Sequence, residues 1–162
     1  MTTVRAAIPA DLAWVTHSWL ASFADSEFAM LSTPRDVIHV DMCETCGSAR
    51  VKRYQGMACA GKEYWSRHRA LVERIISRST LMVADTDGLL DGFACLEWYG
   101  DVPVVHYVYV RLSARGTGVA KALLHGLDPY TLVKYSHRSR GLKAPRLPSK
   151  FRYDVYEMMR SA

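Results

Sequence analysis

Between Val104 and Leu127 the chain runs VVHYVYVRLSARGTGVAKALLHGL, an order that could hold a phosphate. A β-branched and aromatic stretch leads into Arg115-Gly116-Thr117-Gly118-Val119-Ala120, and an apolar helical period starts inside that turn. A strand, a glycine turn and a helix N-terminus in this order turn successive backbone N–H groups toward one point, which suits a pyrophosphate. Val119, Ala120, Leu123, Leu124 and Leu127 give the expected helix one apolar face. Gly116 and Gly118 could instead serve only to save space in a β–α turn. Two other phosphate loops do not fit. No glycine run ends in Gly-Lys-Ser/Thr, and the third glycine of a dinucleotide fingerprint is replaced by Lys121.

Proton chemistry could come from Glu97 and His106. Glu97 ends an otherwise apolar run between Leu96 and Trp98, and a hairpin would bring it beside the His106 region. A carboxylate with a histidine across a strand pair can draw a proton from an amine, directly or through water. A structural carboxylate at a strand edge and a core-facing histidine are the alternatives. Tyr107 and Tyr109 fall on the opposite face from His106, where they could line a groove or pack in the core.

Metal chemistry could come from Cys43-Glu-Thr-Cys46-Gly47, which has the form of half a zinc knuckle. With His39 and Cys59 it would make a tetrahedral set, His39/Cys43/Cys46/Cys59, for one structural zinc. The surrounding stretch lacks an apolar core of its own, so a metal would help it fold. Unpaired thiols are the other account. Cys95, inside a strand, is expected to be a small core residue.

The turn resembles the acyl-CoA-binding motif of the GCN5-related N-acetyltransferase (GNAT) superfamily, Gln/Arg-x-x-Gly-x-Gly/Ala. Arg115, Gly118 and Ala120 fall on its three defining positions. The resemblance covers roughly Val4 to Ser136. It implies an acyl-CoA N-acyltransferase fold, α/β in the α+β sense, with a central, mostly antiparallel mixed sheet flanked by helices. It implies acetyl-CoA as cosubstrate, with its pyrophosphate on Arg115, Gly116, Thr117, Gly118, Val119 and Ala120. The pantetheine arm would follow the preceding strand and bond to backbone near Val108 and Val110, with a polar contact from Ser136 or His137. The activity implied is direct transfer of an acetyl group to a primary amine. Glu97 with His106 would accept the proton, and Tyr153, or else Tyr156, would stand in for the family tyrosine that protonates the thiolate. A CoA-fold protein without catalysis, binding a protein or nucleic acid through its basic and cysteine-bearing segments, is the alternative.

The elements that must position these residues follow from periodicity. Val4 to Ala7 reads as a strand, and Pro9 and Asp11 suit a first helical turn. Leu12, Val15 and Trp19 repeat at helical spacing. The pattern dissolves from about Glu27 to Gly61 and returns as a helix over Lys62–Ser77. Leu81–Ala84 and Gly92–Trp98 are expected to pair as a hairpin around Asp87-Gly88, and Gly100-Asp101 turns the chain into the Val104 strand. Thr131–Ser136 reads as another strand, and Phe151–Met158 as a last one. One domain, 1–162, therefore carries a cysteine-bearing insertion at about 27–61 and a basic C-terminal segment at about 137–162. Pro145 and Pro148 argue against a long helix in that segment.

Composition bounds the rest. The chain has 162 residues, 49% of them hydrophobic, enough for one core. No apolar run is long enough to cross a bilayer, and the first residues lack the layout of a secretion signal, so no membrane partner and a cytoplasmic location are expected. Four cysteines then read as thiols or ligands rather than disulfides. The net charge is +5. Lys134, Arg138, Arg140, Lys143, Arg146, Lys150 and Arg152 fall in a stretch without acids, either a solvated surface or an attraction for CoA phosphates. Nucleic acid is not expected, since no interleaved motif accompanies the charge. The acceptor could be a small molecule or a protein, and a homodimer is compatible with the sequence.

Overall fold

A computed structural model describes residues 2–24, 61–137 and 147–159. Six strands form one mixed sheet in the order β1-β2-β3-β4-β5-β6. They are β1 (Thr2–Ala6), β2 (Thr80–Thr86), β3 (Leu89–Tyr99), β4 (Val102–Val110), β5 (Val133–Tyr135) and β6 (Phe151–Tyr153). β1 to β4 pair antiparallel, and β5 and β6 continue the sheet in parallel. Helices α1 (Leu12–Ala24) and α2 (Gly61–Arg78) cover one face, and the short α3 (Val119–Leu123) covers the other.

Alternation along β3 divides the core. Phe93 and Cys95 point to the helix pair, where Val15, Trp19, Leu20, Phe23, Val72 and Ile75 are fully buried. Ala94 and Leu96 point to α3, meeting Val119, Leu123 and Leu127. α2 is amphipathic as its sequence requires, with His68, Val72 and Ile75 inside and Arg69, Glu73 and Arg74 outside. No helix among the described residues is long and apolar enough to cross a membrane.

The turns obey local chemistry. Asp87 and Gly88 both have positive φ, 53° and 85°, the two-residue turn that matches strand twist, and Asp85 Oδ1 accepts the Gly88 N–H at 2.7 Å. Pro9 to Asp11 form a 3-10 turn before α1 rather than its first α-helical turn. The Asp11 carboxylate accepts the Ile8 N–H at 2.9 Å and pairs with Arg5 at 2.7 Å, which ties β1 to α1.

Three expected boundaries move. The helix after the glycine turn ends at Leu123, and His125–Leu127 follow as a 3-10 turn. β6 stops at Tyr153, and Val155–Met159 coil into a 3-10 segment. The strand expected over Thr131–Ser136 is three residues long.

Two features of β4 shape the site. Cys95 lies opposite Tyr107 and Leu96 opposite Val105, so His106 is an extra residue in a β-bulge. Beyond it, β4 has no paired neighbour on the β5 side among the described residues. β5 pairs with β4 only at Val104–Lys134 and Val105–Tyr135, with one more bond from Ser136 N–H to Val105 O at 3.1 Å, while β4 continues to Val110. The described ladder between the two parallel strands ends at that point.

Candidate active site

The edge of β4 that is unpaired among the described residues carries the backbone groups of Val108 and Val110. Arg111 N–H donates to Asp91 O at 2.7 Å, so the 109 and 111 positions face β3. Alternation turns Val108 and Val110 to the side of β4 on which β5 pairs. The Val110 carbonyl there accepts Arg115 Nε–H at 3.1 Å. Arg115 thus ties the start of the turn back to the strand.

The turn itself has the conformation of an anion nest. Leu112–Ala114 form a 3-10 turn, Gly116 has φ 83°, and Gly118, the N-cap of α3, has φ 90° and ψ 0°. A Cβ built on either glycine meets nothing within 4 Å, so close packing is not the reason for them. The left-handed backbone is, because it disfavours every side chain. Thr117 Oγ1 donates to Ala114 O at 2.7 Å and braces the turn. The N–H groups of Gly116, Thr117 and Gly118 make no hydrogen bond among the described residues, and all three residues are exposed. Three consecutive unengaged amides, with Arg115 and Lys121 beside them, suit a pyrophosphate.

A glycine outside the motif lies under the start of α3 and against β4. A Cβ on Gly92 of β3 would lie 2.6 Å from Tyr109 O, 3.2 Å from Val119 Cγ1 and 3.3 Å from Leu123 Cδ1. The 2.6 Å contact is with β4 backbone, so glycine is required by the Tyr109 carbonyl, while the two α3 side chains would have to give only slightly. Sequence reasoning passed over it; a glycine opening a strand was the available signal.

On the helix-pair face a line of polar side chains crosses three strands. Arg78 Nε–H donates to Glu97 Oε2 at 3.1 Å, and the same oxygen is 2.7 Å from His106 Nε2. His106 Nδ1 is 2.9 Å from Ser136 Oγ, which is 2.8 Å from His137 Nδ1. His106 and Ser136 are 0% exposed and His137 5%. Burial holds the His106 imidazole below its ordinary value against the opposing pull of Glu97. Burial, reinforced by His68 and His106, holds His137 well below its own. His68 is pushed down to about 4 by burial. Trp19, Phe23 and Tyr107 pack their rings around His137, with centroids 5.3, 4.8 and 5.8 Å away.

The structure therefore brings Glu97, His106, Ser136 and His137 into one hydrogen-bonded set. The Ser136 hydroxyl is committed to the two histidines. Arg78, at the C-terminal end of α2, is the member that sequence periodicity did not single out. Tyr153 stands on the α3 side of the sheet, its ring 5.4 Å from Tyr135, and Tyr156 is 78% exposed. Tyr107 and Tyr109 pack in the core, Tyr107 stacked on Trp19 at 4.9 Å and Tyr109 on Phe93 at 5.8 Å. Cys95 is fully buried, and burial pushes its thiol up to about 12.

The basic segment is partly occupied internally. Lys134 Nζ pairs with Glu157 at 2.7 Å and Asp154 at 3.0 Å, and Lys150 Nζ donates to Leu127 O at 2.7 Å. Arg138, Arg140, Lys143 and Arg146 lie outside the described residues. So do His39, Cys43, Cys46 and Cys59. Among the described residues no group of three or more His, Cys, Asp or Glu could hold a metal ion.

No protein-family model matches the sequence, and no curated protein is similar to it. Solved structures are similar in fold. A Corynebacterium glutamicum ATCC 13032 protein, described as histone acetyltransferase HPA2 and related acetyltransferase, is 20% identical over 78% of this chain and 70% of its own, with a TM-score of 0.50. The ribosomal-protein-alanine N-acetyltransferase of Brucella melitensis biovar Abortus 2308 is 20% identical over 78% and 70%, with a TM-score of 0.46. The PaiA N-acetyltransferase of Thermoplasma acidophilum, in complex with coenzyme A, is 13% identical over 79% and 70%, with a TM-score of 0.42. At the first of these similarities the chain has the acyl-CoA N-acyltransferase fold.

Proposed function

From that fold, we propose that the protein is an acetyl-CoA-dependent N-acetyltransferase acting on a primary amine. One observation carries the reading. Among the described residues the amides of Gly116, Thr117 and Gly118 are unengaged in the turn that follows β4. The pyrophosphate of acetyl-CoA is assigned to these amides and to the first turn of α3, with Arg115 and Lys121 adding positive charge. The pantetheine arm is assigned to the edge of β4 at Val108 and Val110. Of these, the Val110 carbonyl already has a donor in Arg115, so Val108 offers the freer pair.

Transfer then needs a neutral amine beside the thioester carbonyl. The amine nitrogen forms the new C–N bond as the C–S bond breaks, and the thiolate leaves. An alkylamine is mostly protonated near neutral pH, so a base must take a proton before attack. Glu97 is that base in this reading. Its carboxylate is held by Arg78 and His106, and its side chain is 15% exposed, so it can pass the proton on to water.

Incubation with acetyl-CoA and a panel of primary amines, followed by thiol release and mass spectrometry of the acceptor, tests the proposal. The panel comprises putrescine, lysine amide and an alanine-initiated peptide. Acetylated amine supports it. Binding of acetyl-CoA without turnover on any amine would favour a non-catalytic CoA-binding protein. The internal pairing of Lys134 and Lys150 leaves less of the basic segment for that second role.

A further inference from the structure

Two lines of contacts reach Glu97, and both start on β5. In the first, Glu97 Oε2 lies 2.7 Å from His106 Nε2, and His106 Nδ1 lies 2.9 Å from Ser136 Oγ, one position past β5. In the second, the same oxygen accepts Arg78 Nε–H at 3.1 Å. Arg78 Nη2 donates to the Glu157 carbonyl at 3.0 Å, and the Glu157 carboxylate accepts from Lys134 Nζ at 2.7 Å. Lys134 belongs to β5. Its neighbours Val133 and Tyr135 pack toward α3, so Lys134 points to the helix-pair face, where Ser136 also stands. The contacts close into a circuit that leaves β5 at Ser136 and returns to it at Lys134, with Glu97 at the far point.

The second line is built from the segment after β6. Asp154 N–H bonds to Tyr135 O at 2.9 Å, Lys134 pairs with Asp154 at 3.0 Å, and Val155 packs against the helix-pair core. Anchored in this way on β5, the segment presents the Glu157 carbonyl to the end of α2. A guanidinium suits that place because its donors lie in one plane at fixed angles. With one donor on Glu97 and another on Glu157, the plane of Arg78 cannot turn without breaking a bond. A lysine ammonium has no plane to fix. Fold stability is a weak reason for these charges. The side chains of Arg78, Glu97 and Glu157 are 10%, 15% and 3% exposed. Charge pairs this buried often stabilise a fold no better than apolar residues of similar volume. They do fix direction, and a misplacement of about 1 Å in a catalytic group can cost turnover heavily.

We propose that Arg78 and Lys134 are positioning residues for the transfer. Lys134 seats the C-terminal segment through Glu157, the Glu157 carbonyl sets the plane of Arg78, and Arg78 aims the Glu97 carboxylate. The inference rests on the acetyltransferase reading with Glu97 as the base. It gives Lys134, a member of the basic stretch, a part in turnover rather than in attracting CoA phosphate.

Double-mutant cycles with Glu97→Gln test the proposal. Arg78→Lys keeps the charge and gives up the planar fork. Lys134→Met combined with Glu157→Gln removes the seat without leaving a buried charge alone. Each should lower kcat about 10-fold, leave KM for acetyl-CoA unchanged, and keep a cooperative urea transition. In the Glu97→Gln background neither should lower kcat further, because each acts only through that carboxylate. Arg78→Ala adds a chemical readout. Guanidinium chloride at millimolar concentration, far below denaturing levels, should restore much of its kcat when Glu97 is present and none in the Glu97→Gln background. Losses that multiply with that of Glu97→Gln would make the circuit a matter of stability and overturn the proposal. So would wild-type kcat in Arg78→Lys or in the Lys134→Met/Glu157→Gln protein. A raised KM for acetyl-CoA in the latter would return Lys134 to the cofactor. Failure of the underlying reading looks different: wild-type protein would then acetylate no amine. Failure of Glu97 as the base would show as full turnover in Glu97→Gln itself, which overturns the positioning role as well.

Discussion

Glu97 and His106 meet at 2.7 Å because β4 has one residue more than β3 between the Cys95–Tyr107 and Leu96–Val105 pairs. In a regular ladder His106 would point to the α3 face, as Val108 and Val110 do. The bulge turns it to the face where Glu97, Ser136 and His137 stand. A single inserted residue thus converts a strand of alternating core residues into a strand with a buried polar site.

Glu97→Gln keeps the shape of the side chain and removes its basicity. Turnover should fall about 10²-fold or more while acetyl-CoA affinity stays nearly constant. Steady-state kinetics alongside a cofactor titration separates the two. Near wild-type kcat between pH 6.5 and 8 would remove Glu97 from the proton path.

Gly92→Ala tests the close approach of β4, and with it of α3, to β3. The added methyl would start 2.6 Å from the Tyr109 carbonyl, a backbone atom that cannot swing aside. The expected cost is about 1–3 kcal/mol in chemical denaturation, with weaker acetyl-CoA binding as α3 and its turn shift from the sheet. Unaltered stability and affinity would mean that the Tyr109 carbonyl sits further from Gly92 than described.

The buried histidines give stability a pH dependence of definite sign. His68 is pushed down to about 4, whereas in the unfolded chain a histidine titrates near 6.5. Between these values the unfolded chain binds a proton that the fold refuses. Stability should be full above about pH 6.5 and fall by about 1.4 kcal/mol per unit as pH drops toward 4. His106 and His137, both held below their ordinary values by burial, act in the same direction. Urea midpoints measured at pH 7.5, 6 and 5 should show the decline, and His68→Gln should make it shallower. A midpoint independent of pH over that range would place these rings in contact with water.

Sequence periodicity located the strands and helices because alternation and 3.6-residue spacing follow directly from which face is buried. Asp87-Gly88 and Gly116/Gly118 were legible because positive φ restricts residue choice at the position itself. Features that depend on two distant segments were not legible. The bulge at His106 is a property of pairing with β3, and no residue in VVHYVYV announces it. The reason for glycine at position 92 is the approach of the Tyr109 carbonyl, in the next strand, with α3 packed above it. Arg78 reads as an ordinary basic residue at a helix end until Glu97 is seen beside it. Lys134 reads as part of a basic surface until Asp154 and Glu157 close over it. Phe151–Met158 looked like one strand because aromatic residues alternate there. The chain instead leaves the sheet after Tyr153, where Asp154 N–H bonds back to Tyr135 O at 2.9 Å and the Asp154 carboxylate accepts from Lys134.

The most direct test of the central claim is a calorimetric titration of acetyl-CoA into wild-type protein, Ala120→Glu and Ala120→Gln. Ala120 is exposed in the first turn of α3, next to the unengaged amides, and either substitution suits a helix. Only the glutamate puts a negative charge where the pyrophosphate is assigned. The account predicts one equivalent bound by wild type, binding nearly retained in Ala120→Gln, and affinity lowered at least 10-fold in Ala120→Glu with unchanged thermal stability. No binding to wild type, or equal affinity in all three proteins, would contradict it.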